Sequence, residues 1–400
     1  MTTKEILSKL KQYEARSMHG QLPVVWNIAI GDTVLDIKHK EYIDFTSGIC
    51  TTNIGHFNSS IMLALKNQMA RGILHSYTFP TKIRAEFLEF IIKNTPSFCE
   101  KVYLVSSGTE ATETAVKLMK MYTKKKGIIS FWGSMHGRTM LAEQLKGNYE
   151  WADKTDNILH LDFPKKNERF RPITYLRFPA CLFPSEIDES KIGGIIIETY
   201  QGWSARLYPK KYIQDLCKWA RKHNILICFD EIQGGMGRTG KLFNYMHYEV
   251  EPDLICVGKG FSGGLPLSGV LGRKDILDTP EEGSMSSTHS ANPLCCAVGL
   301  ANFKEILRIL PTVKEKGEIL HNFLRKNIKK YKINGKGLIA AIITKTEKEA
   351  TNISYKAMKK GLLLIKTDRN SVKIAPPLVV TKENLLKGLK ILKGIINEKS

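Results

Sequence analysis

The chain has 400 residues, of which 42% are hydrophobic and 25% charged, and its formal net charge is +21. This balance excludes a disordered or fibrous chain, and the length predicts one large domain with a smaller one. Apolar runs of about 18 residues are absent from the sequence, so we expect no membrane partner. The start lacks a secretory apolar core and the eight cysteines form no C-x-x-C pair, which favours a cytoplasmic protein with reduced thiols.

The positive charge could indicate a nucleic-acid binder, but the lysines and arginines are spread along the whole chain. A nucleic-acid binder usually concentrates its basic residues on one face or in one arm. We therefore expect no nucleic-acid partner. A basic binding protein without catalysis stays an alternative, and salt-dependent binding to plain duplex DNA would favour it.

Short apolar runs alternate with helical patterns through the middle of the chain. In chain order, we predict strands at residues 102–105, 127–132, 194–197, 225–229 and 253–257, and helices at residues 111–122 and 212–223. Continuous apolar strands that alternate with helices indicate a sheet buried on both faces, and hence an α/β fold. Residues 292–307 and the last hundred residues predict a smaller α+β part.

Polar residues whose side chains can bind ligands or react follow four of the predicted strands. Ser107, Gly108 and Thr109 come after the first strand, and Glu198, Asp230 and Lys259 come after three others. Ligands of open α/β sheets bind outside the carboxyl ends of the strands. The sequence therefore predicts that these side chains meet in one crevice.

The residue types in this crevice fit one cofactor. Gly108 and Thr109 open a helix, whose N-terminal amides bind phosphate. Asp230 should be buried and so needs a cationic partner, which a protonated pyridine nitrogen would supply. Lys259 lies between two glycines at a buried strand end, where a neutral amine could form a Schiff base. Together they indicate pyridoxal phosphate, although Lys259 alone could also be a strand-end lysine that reaches solvent.

An ordered set of motifs spans nearly the whole chain. The motifs lie at residues 42–48, 53–56, 107–113, 136–139, 198 with 201–202, 230–233, 237–240, 258–260, 264–269, and 288 with 292–293. In this order the chain resembles the class-III pyridoxal-phosphate aminotransferases, which include the acetylornithine, ornithine and 4-aminobutyrate aminotransferases.

The resemblance implies a fold-type-I transferase: α/β, with a mostly parallel sheet between helices in a large domain and a smaller α+β domain built from both termini. We expect an N-terminal segment at 1–50, a cofactor-binding domain at 51–284 and a C-terminal domain at 285–400. The implied reaction moves an amino group between an amine or ω-amino substrate and a keto acid such as 2-oxoglutarate, by a ping-pong mechanism. The implied assembly is a homodimer with shared active sites.

The resemblance also implies the roles of individual residues. Lys259 and Asp230 would be catalytic, and Thr288 would reach the phosphate of the neighbouring subunit. The other cofactor contacts would come from Ser107, Gly108, Thr109, Met135, His136 and Gln233, the substrate contacts would come from Arg138, Glu198 and Lys373, and no metal is implied.

Two residues depart from the family pattern. Met135 stands where most relatives carry Tyr or Phe, and a thioether contacts an aromatic ring more softly. Lys373 stands where relatives that bind an α-carboxylate carry an arginine, and a lysine cannot form the planar two-pronged contact. We expect Lys373 to pair with Glu198 and to hold a carboxylate less rigidly than arginine would.

Two enzyme alternatives stay open. Residues 235–240 and 258–263 both match the G-x-G-x-x-G pattern of nicotinamide dehydrogenases, a pattern of poor specificity. A yellow absorbance would favour pyridoxal phosphate over a nicotinamide. Racemases, aminomutases and decarboxylases share the expected fold, and release of a keto product would separate amino transfer from these reactions.

Overall fold

The computed structural model describes residues 1–18, 20, 22–77, 79–147, 157–170, 177–178, 181–182 and 188–398. The helices in this part of the chain are α1 Thr3–Tyr13, α2 Ser47–Cys50, α3 Ser59–Met69, α4 Lys82–Lys93, α5 Gly108–Thr123, α6 Met140–Lys146, α7 Lys210–Lys222, α8 Lys274–Leu277, α9 Pro293–Asn327, α10 Glu347–Lys359 and α11 Lys382–Asn397. The strands are β1 Trp26–Ile30, β2 Thr33–Asp36, β3 Glu41–Asp44, β4 Lys101–Val105, β5 Gly127–Phe131, β6 Ile158–Leu161, β7 Arg177–Phe178, β8 Cys181–Leu182, β9 Ile192–Glu198, β10 Tyr200–Gln201, β11 Arg206–Leu207, β12 Leu226–Asp230, β13 Leu254–Val257, β14 Ser268–Gly272, β15 Lys332–Lys336, β16 Ile339–Ile343, β17 Leu362–Leu363, β18 Ile365–Lys366 and β19 Ser371–Ile374. Each helix in these ranges is too short or too polar to cross a membrane.

The central sheet has the strand order β4-β14-β13-β12-β9-β5-β6 in the described residues. Its strands are parallel except β14, which runs antiparallel to both of its neighbours. The five predicted strands are confirmed, with ends that differ by one or two residues. Strand β14 was not predicted because its short sequence carries two glycines, which weaken a strand pattern.

Both faces of this sheet are buried, as the apolar runs predicted. Along β12, Ile227 and Phe229 point into one core, which also contains residues of α7. Leu226 and Cys228 point into a second core, together with residues of α5. This alternation places helices on both sides and leaves the strand ends as the open edge of the sheet.

Residues 292–307, which were predicted only to belong to the smaller α+β part, form the first half of a long helix, α9. It runs for 35 residues, about 52 Å, and continues through Pro311. A proline inside a helix removes a backbone donor and costs about 3 kcal/mol. The buried side chains Ile306, Ile309 and Val313 lie on either side of the proline, and their burial offsets that cost.

The two termini build the smaller part of the molecule together. Strand β17 pairs in parallel with β3, so C-terminal residues complete the N-terminal sheet β1-β2-β3-β17. A second sheet has the order β15-β16-β19-β18, and helix α10 packs on strands of both sheets. The expected contribution of both termini is confirmed, whereas boundaries near residues 50 and 284 stay a prediction.

A buried arginine joins the parts. Arg238 is fully buried, and its guanidinium donates to the carbonyl oxygen of Leu338 at 3.0 Å and to Ser47 Oγ at 3.2 Å. It also donates to the carbonyl oxygen of Pro376 and to Asn53 Oδ1. These four acceptors come from the N-terminal and C-terminal segments, so one side chain connects both to the large domain.

Candidate functional site

A cavity of about 470 Å³ lies at the carboxyl ends of the parallel strands. Gly108 and Thr109 line it from the start of α5, and Lys259 lines it from the segment after β13. His136 and Gln233 complete the wall at this end of the sheet. The structure therefore brings together residues from distant segments at the edge that the sequence indicated. We call it the central cavity.

Lys259 lies two residues beyond β13, in a tight left-handed backbone conformation with φ of 44°. The glycine at 260 allows a close approach, because a Cβ there would lie 2.2 Å from Asn53 Nδ2. The Lys259 ammonium makes no hydrogen bond to any described residue and its side chain lines the cavity. The amine is therefore free to react with a bound molecule.

The start of α5 offers free backbone donors to the cavity. Ser107 caps the helix, and Glu110 Oε2 accepts the amides of Ser106 and Ser107 at 3.0 and 2.7 Å. The next two amides, of Gly108 and Thr109, have no acceptor among the described residues. They lie where an anion binds a helix N-terminus, whereas Ser107 itself is exposed and does not line the cavity.

Asp230 lies behind the cavity wall and is almost fully buried. Its Oδ2 lies 2.8 Å from His136 Nδ1, and its Oδ1 accepts the Ile232 amide at 3.0 Å. His136 is also buried, and its Nε2 has no partner among the described residues. These contacts hold the carboxylate in one orientation beside the cavity.

Glu198 ends β9 and is held by backbone amides. Its Oε2 accepts the Met135 amide at 3.0 Å, and its Oε1 accepts the Gly202 amide at 3.1 Å. Burial raises the pKa of this carboxyl to about 7, and the nearby His136 opposes that rise. Glu198 therefore supports the wall that carries Met135 and does not itself line the cavity.

The expected pairing of Lys373 with Glu198 was wrong. Lys373 Nζ donates instead to the Gly202 carbonyl oxygen at 2.8 Å and to Gln233 Oε1 at 3.0 Å. Gly202 separates the two charges, because its amide binds Glu198 while its carbonyl binds Lys373. Burial lowers the pKa of Lys373 to about 8.

Three other predicted residues lie at different distances from the cavity. Met135 lines it, and Arg138 lines its rim with an exposed side chain 3.7 Å from Glu143 Oε1. Thr288 is exposed and does not line the cavity of its own chain. Its neighbour Ser287 donates to Glu110 Oε1 at 3.2 Å, which places this segment beside the start of α5.

Several wall residues were missed from the sequence. Trp203, Ile232 and residues 365–368 line the cavity, and the Arg369 guanidinium lies 5.1 Å from the Trp203 ring centroid. Trp203 directly follows the motif at residues 201–202, and this position next to a motif could have identified it as a wall residue. Residues 365–368 gave no signal, since only the folding of the C-terminal part brings them to this edge.

The described residues contain no cluster of histidine, cysteine, aspartate or glutamate side chains that could hold a metal ion. The site instead combines free amides for an anion, a buried carboxylate and a free lysine amine. These groups match the phosphate, ring nitrogen and aldehyde of pyridoxal phosphate, so the residues fit the expected cofactor.

Comparisons with known proteins identify the family of this chain. The family described as aminotransferase class-III matches residues 14–396. The chain is 34% identical to the acetylornithine aminotransferase of Oceanobacillus iheyensis over 95% of each chain, and 32% identical to the ornithine aminotransferase of Emericella nidulans over 99% of this chain and 91% of the relative. The crystal structure of the acetylornithine aminotransferase from Elizabethkingia anophelis matches all of both chains, with 27% identity and a TM-score of 0.83.

These matches confirm the resemblance, the fold type and the cofactor, and they favour amino transfer over the alternative reactions. The chain belongs to the class-III aminotransferases and is a pyridoxal-phosphate-dependent transaminase.

Proposed function

We propose that this transaminase takes an ω-amino acid or acylated diamino acid as one substrate and a keto acid such as 2-oxoglutarate as the other. The observation that carries the proposal is the free Lys259 amine in a cavity that also offers the Gly108 and Thr109 amides. The names of the acetylornithine and ornithine aminotransferases that the chain resembles support the substrate class.

Five residues would hold the cofactor in the central cavity. Gly108 and Thr109 would bind the phosphate through their free amides, and Thr288 of a second copy would add a hydroxyl. Asp230 would bind the ring nitrogen, and Lys259 would bind the aldehyde carbon. When bound, pyridoxal phosphate supplies an electron sink that stabilises negative charge on the substrate carbon.

The protein then moves protons and keeps the groups aligned. Lys259 would take the proton from the substrate carbon and return it, because its amine lines the cavity without a hydrogen-bond partner among the described residues. Asp230 would keep the ring nitrogen protonated, and its contacts with His136 and Ile232 fix its direction. Met135 would contact the face of the ring through its thioether.

The polar wall also suggests how a substrate carboxylate is held. Lys373 donates to two protein oxygens, which leaves one of its three N–H bonds for a ligand. Arg138 lies at the exposed rim, where it would meet the distal end of a substrate. Glu198 lies behind this wall and would act on the substrate through Met135 and Gly202.

We further propose that the enzyme is a homodimer and that it works in the cytoplasm. Large apolar side chains that include Phe57, Leu63, Met69 and Phe79 are exposed on the described N-terminal third. Ile49 is also exposed and lines the central cavity, so a second copy that covered it would also close the site. The buried free cysteines of the described residues support a reducing compartment.

Borohydride reduction of the yellow enzyme, followed by peptide mapping, tests the assignment of Lys259. We expect the cofactor tag on Lys259. Lys366 and Lys373 also line the cavity and serve as internal controls, and a tag on either would contradict the assignment.

A panel of amines added without keto acid tests the substrate class. We expect ω-amino acids to bleach the yellow band and to release a carbonyl product. A reaction that rearranges or decarboxylates the amine without bleaching would contradict amino transfer. The oligomer is tested separately: a chain that stays monomeric at micromolar concentration yet turns over at full rate would contradict the shared site.

A further inference from the structure

The oxygen end of the Gln233 side-chain amide is fixed by the protein. Lys373 Nζ donates to Gln233 Oε1 at 3.0 Å, and the Tyr200 hydroxyl lies 3.3 Å from the same oxygen. Tyr200 has a single proton and lies closer, at 3.0 Å, to the backbone carbonyl of Gln233. Lys373 is therefore the principal donor that holds the side-chain oxygen.

This contact decides which end of the amide faces the cavity. If the amide were reversed, its NH₂ group would face the Lys373 ammonium, and two donors would oppose each other. The observed orientation leaves the Gln233 Nε2 hydrogens without an acceptor among the described residues. Gln233 lines the central cavity with Lys259, so these hydrogens are available to a bound acceptor.

Lys373 itself has no freedom to take another position. It is 4% exposed, it lies on β19, and the Gly202 carbonyl oxygen holds its ammonium at 2.8 Å. It forms no ion pair with Glu198, which binds the Met135 and Gly202 amides instead. The buried charge therefore acts on a neutral amide of the wall and not on the Glu198 carboxylate.

We propose that Lys373 is a positioning residue: it fixes the Gln233 amide so that Nε2 donates to the phenolic oxygen of the cofactor. This inference rests on the proposed placement of the cofactor against Lys259 and Asp230. A donor at the phenolic oxygen stabilises its negative charge, and it thereby lowers the proton affinity of the neighbouring cofactor–lysine linkage. The protein would use one buried lysine to set the protonation of that linkage.

The test is a pH titration of the visible absorbance of the yellow holoenzyme without substrate. We expect Gln233→Leu to raise the midpoint by about one pH unit, the size of a lost hydrogen bond to a charged group. Lys373→Met should raise it in the same direction, and Lys373→Arg should retain most of the original midpoint. Because a merely structural change would not move the midpoint, this readout separates positioning from stability.

The double variant Gln233→Leu with Lys373→Met separates positioning from a direct effect of charge. If Lys373 acts through Gln233, adding Lys373→Met to Gln233→Leu should cause no further shift. A full second shift would mean that the ammonium acts through space, and it would overturn the proposal. An unchanged midpoint in Lys373→Met would overturn it as well.

If Lys373→Met does not fold, Lys373→Leu removes both the charge and the donor to Gln233 Oε1 with a smaller apolar side chain, and it should give the same upward shift. Borohydride tagging distinguishes failure of the positioning role from failure of the proposed cofactor placement. A tag at Lys259 without any midpoint shift refutes only the positioning role, whereas a tag elsewhere refutes the cofactor placement and the inference with it.

Discussion

Arg238 and Lys373 are two buried cations, and neither pairs with a carboxylate among the described residues. Arg238 is enclosed by oxygen atoms from Ser47, Asn53 and the backbone, in the junction between the two parts of the molecule. Lys373 has two protein acceptors and lies in the wall of the central cavity. The first cation is surrounded by protein, whereas the second keeps one N–H for a ligand.

This difference teaches how to separate structural from functional charge. A buried charge costs free energy unless oxygen atoms replace its water, and the Arg238 side chain recovers that cost with four acceptors. The two acceptors of Lys373 offset less of the cost of burying its charge, which is consistent with the lowered pKa of its ammonium. We therefore expect Arg238 to govern stability and Lys373 to govern the chemistry of the cavity.

The largest expected effect comes from removing Arg238. Arg238→Met should lower the free energy of unfolding by about 3 kcal/mol or more, because it leaves several buried oxygens without a donor. Arg325 is exposed, and Arg325→Met should change stability by about 0.5 kcal/mol or less. Urea unfolding measures both. If Arg238→Met lowered the free energy of unfolding no more than Arg325→Met does, Arg238 would not have the structural role that the comparison assigns to it.

Asp230 extends the comparison to a buried negative charge beside the cavity. Asp230→Asn should slow the proton-transfer step by about a hundredfold or more, about 3 kcal/mol, while the protein still folds. Single-turnover absorbance measures the step, and Asp278→Asn, a surface variant, serves as control. Near-normal turnover in Asp230→Asn would refute its proposed role.

The pH dependence of stability sharpens the Lys373 side of the comparison. Its pKa is lowered from 10.5 to about 8 in the folded protein, so the unfolded chain binds more protons between these values. Stability should therefore rise with pH through this window, by about 2 kcal/mol at pH 9.5 relative to Lys373→Met. Unfolding of both proteins at pH 7.5 and 9.5 measures the difference. If stability changed with pH equally in the two proteins, burial would not lower the pKa of Lys373.

The smallest expected effect concerns the substrate carboxylate. Lys373→Arg should tighten binding of glutamate or 2-oxoglutarate by about tenfold, because a guanidinium can form a two-pronged contact. Lys373→Ala should weaken that binding. The concentration dependence of the half-reaction measures both variants. If neither responds with any α-amino acid, the carboxylate contact lies elsewhere in the wall.

The sequence predicted well which residues meet at the open edge of the sheet, for a physical reason. Asp230 and Lys259 follow apolar strands, and parallel strands bring their carboxyl ends together whatever the loops do. The same reasoning placed Gly108 and Thr109 at a helix start. These inferences needed only the direction of the strands and the chemistry of the side chains.

The contacts that the sequence did not predict depend on the packing of distant segments. Lys373 does not pair with Glu198 because the backbone of Gly202 lies between them. The spacing of these residues along the chain does not reveal this arrangement. Pro311 would normally end a helix, but α9 continues because its apolar face is buried on both sides of the proline. In both cases tertiary packing overrides the local pattern.

The antiparallel position of β14 has a consequence for how the protein is made. The edge strand β4, which leads into the start of α5 where we propose that phosphate binds, pairs with β14 from Lys101↔Gly272 to Val105↔Ser268. A nascent chain shorter than 268 residues therefore has no part of β14 to pair with that strand. Since such distant pairings are slow to form, the unfinished chain exposes an apolar strand during synthesis. We expect ribosome-bound fragments that end before β14 to depend on chaperones and to capture cofactor only after the missing strand has emerged.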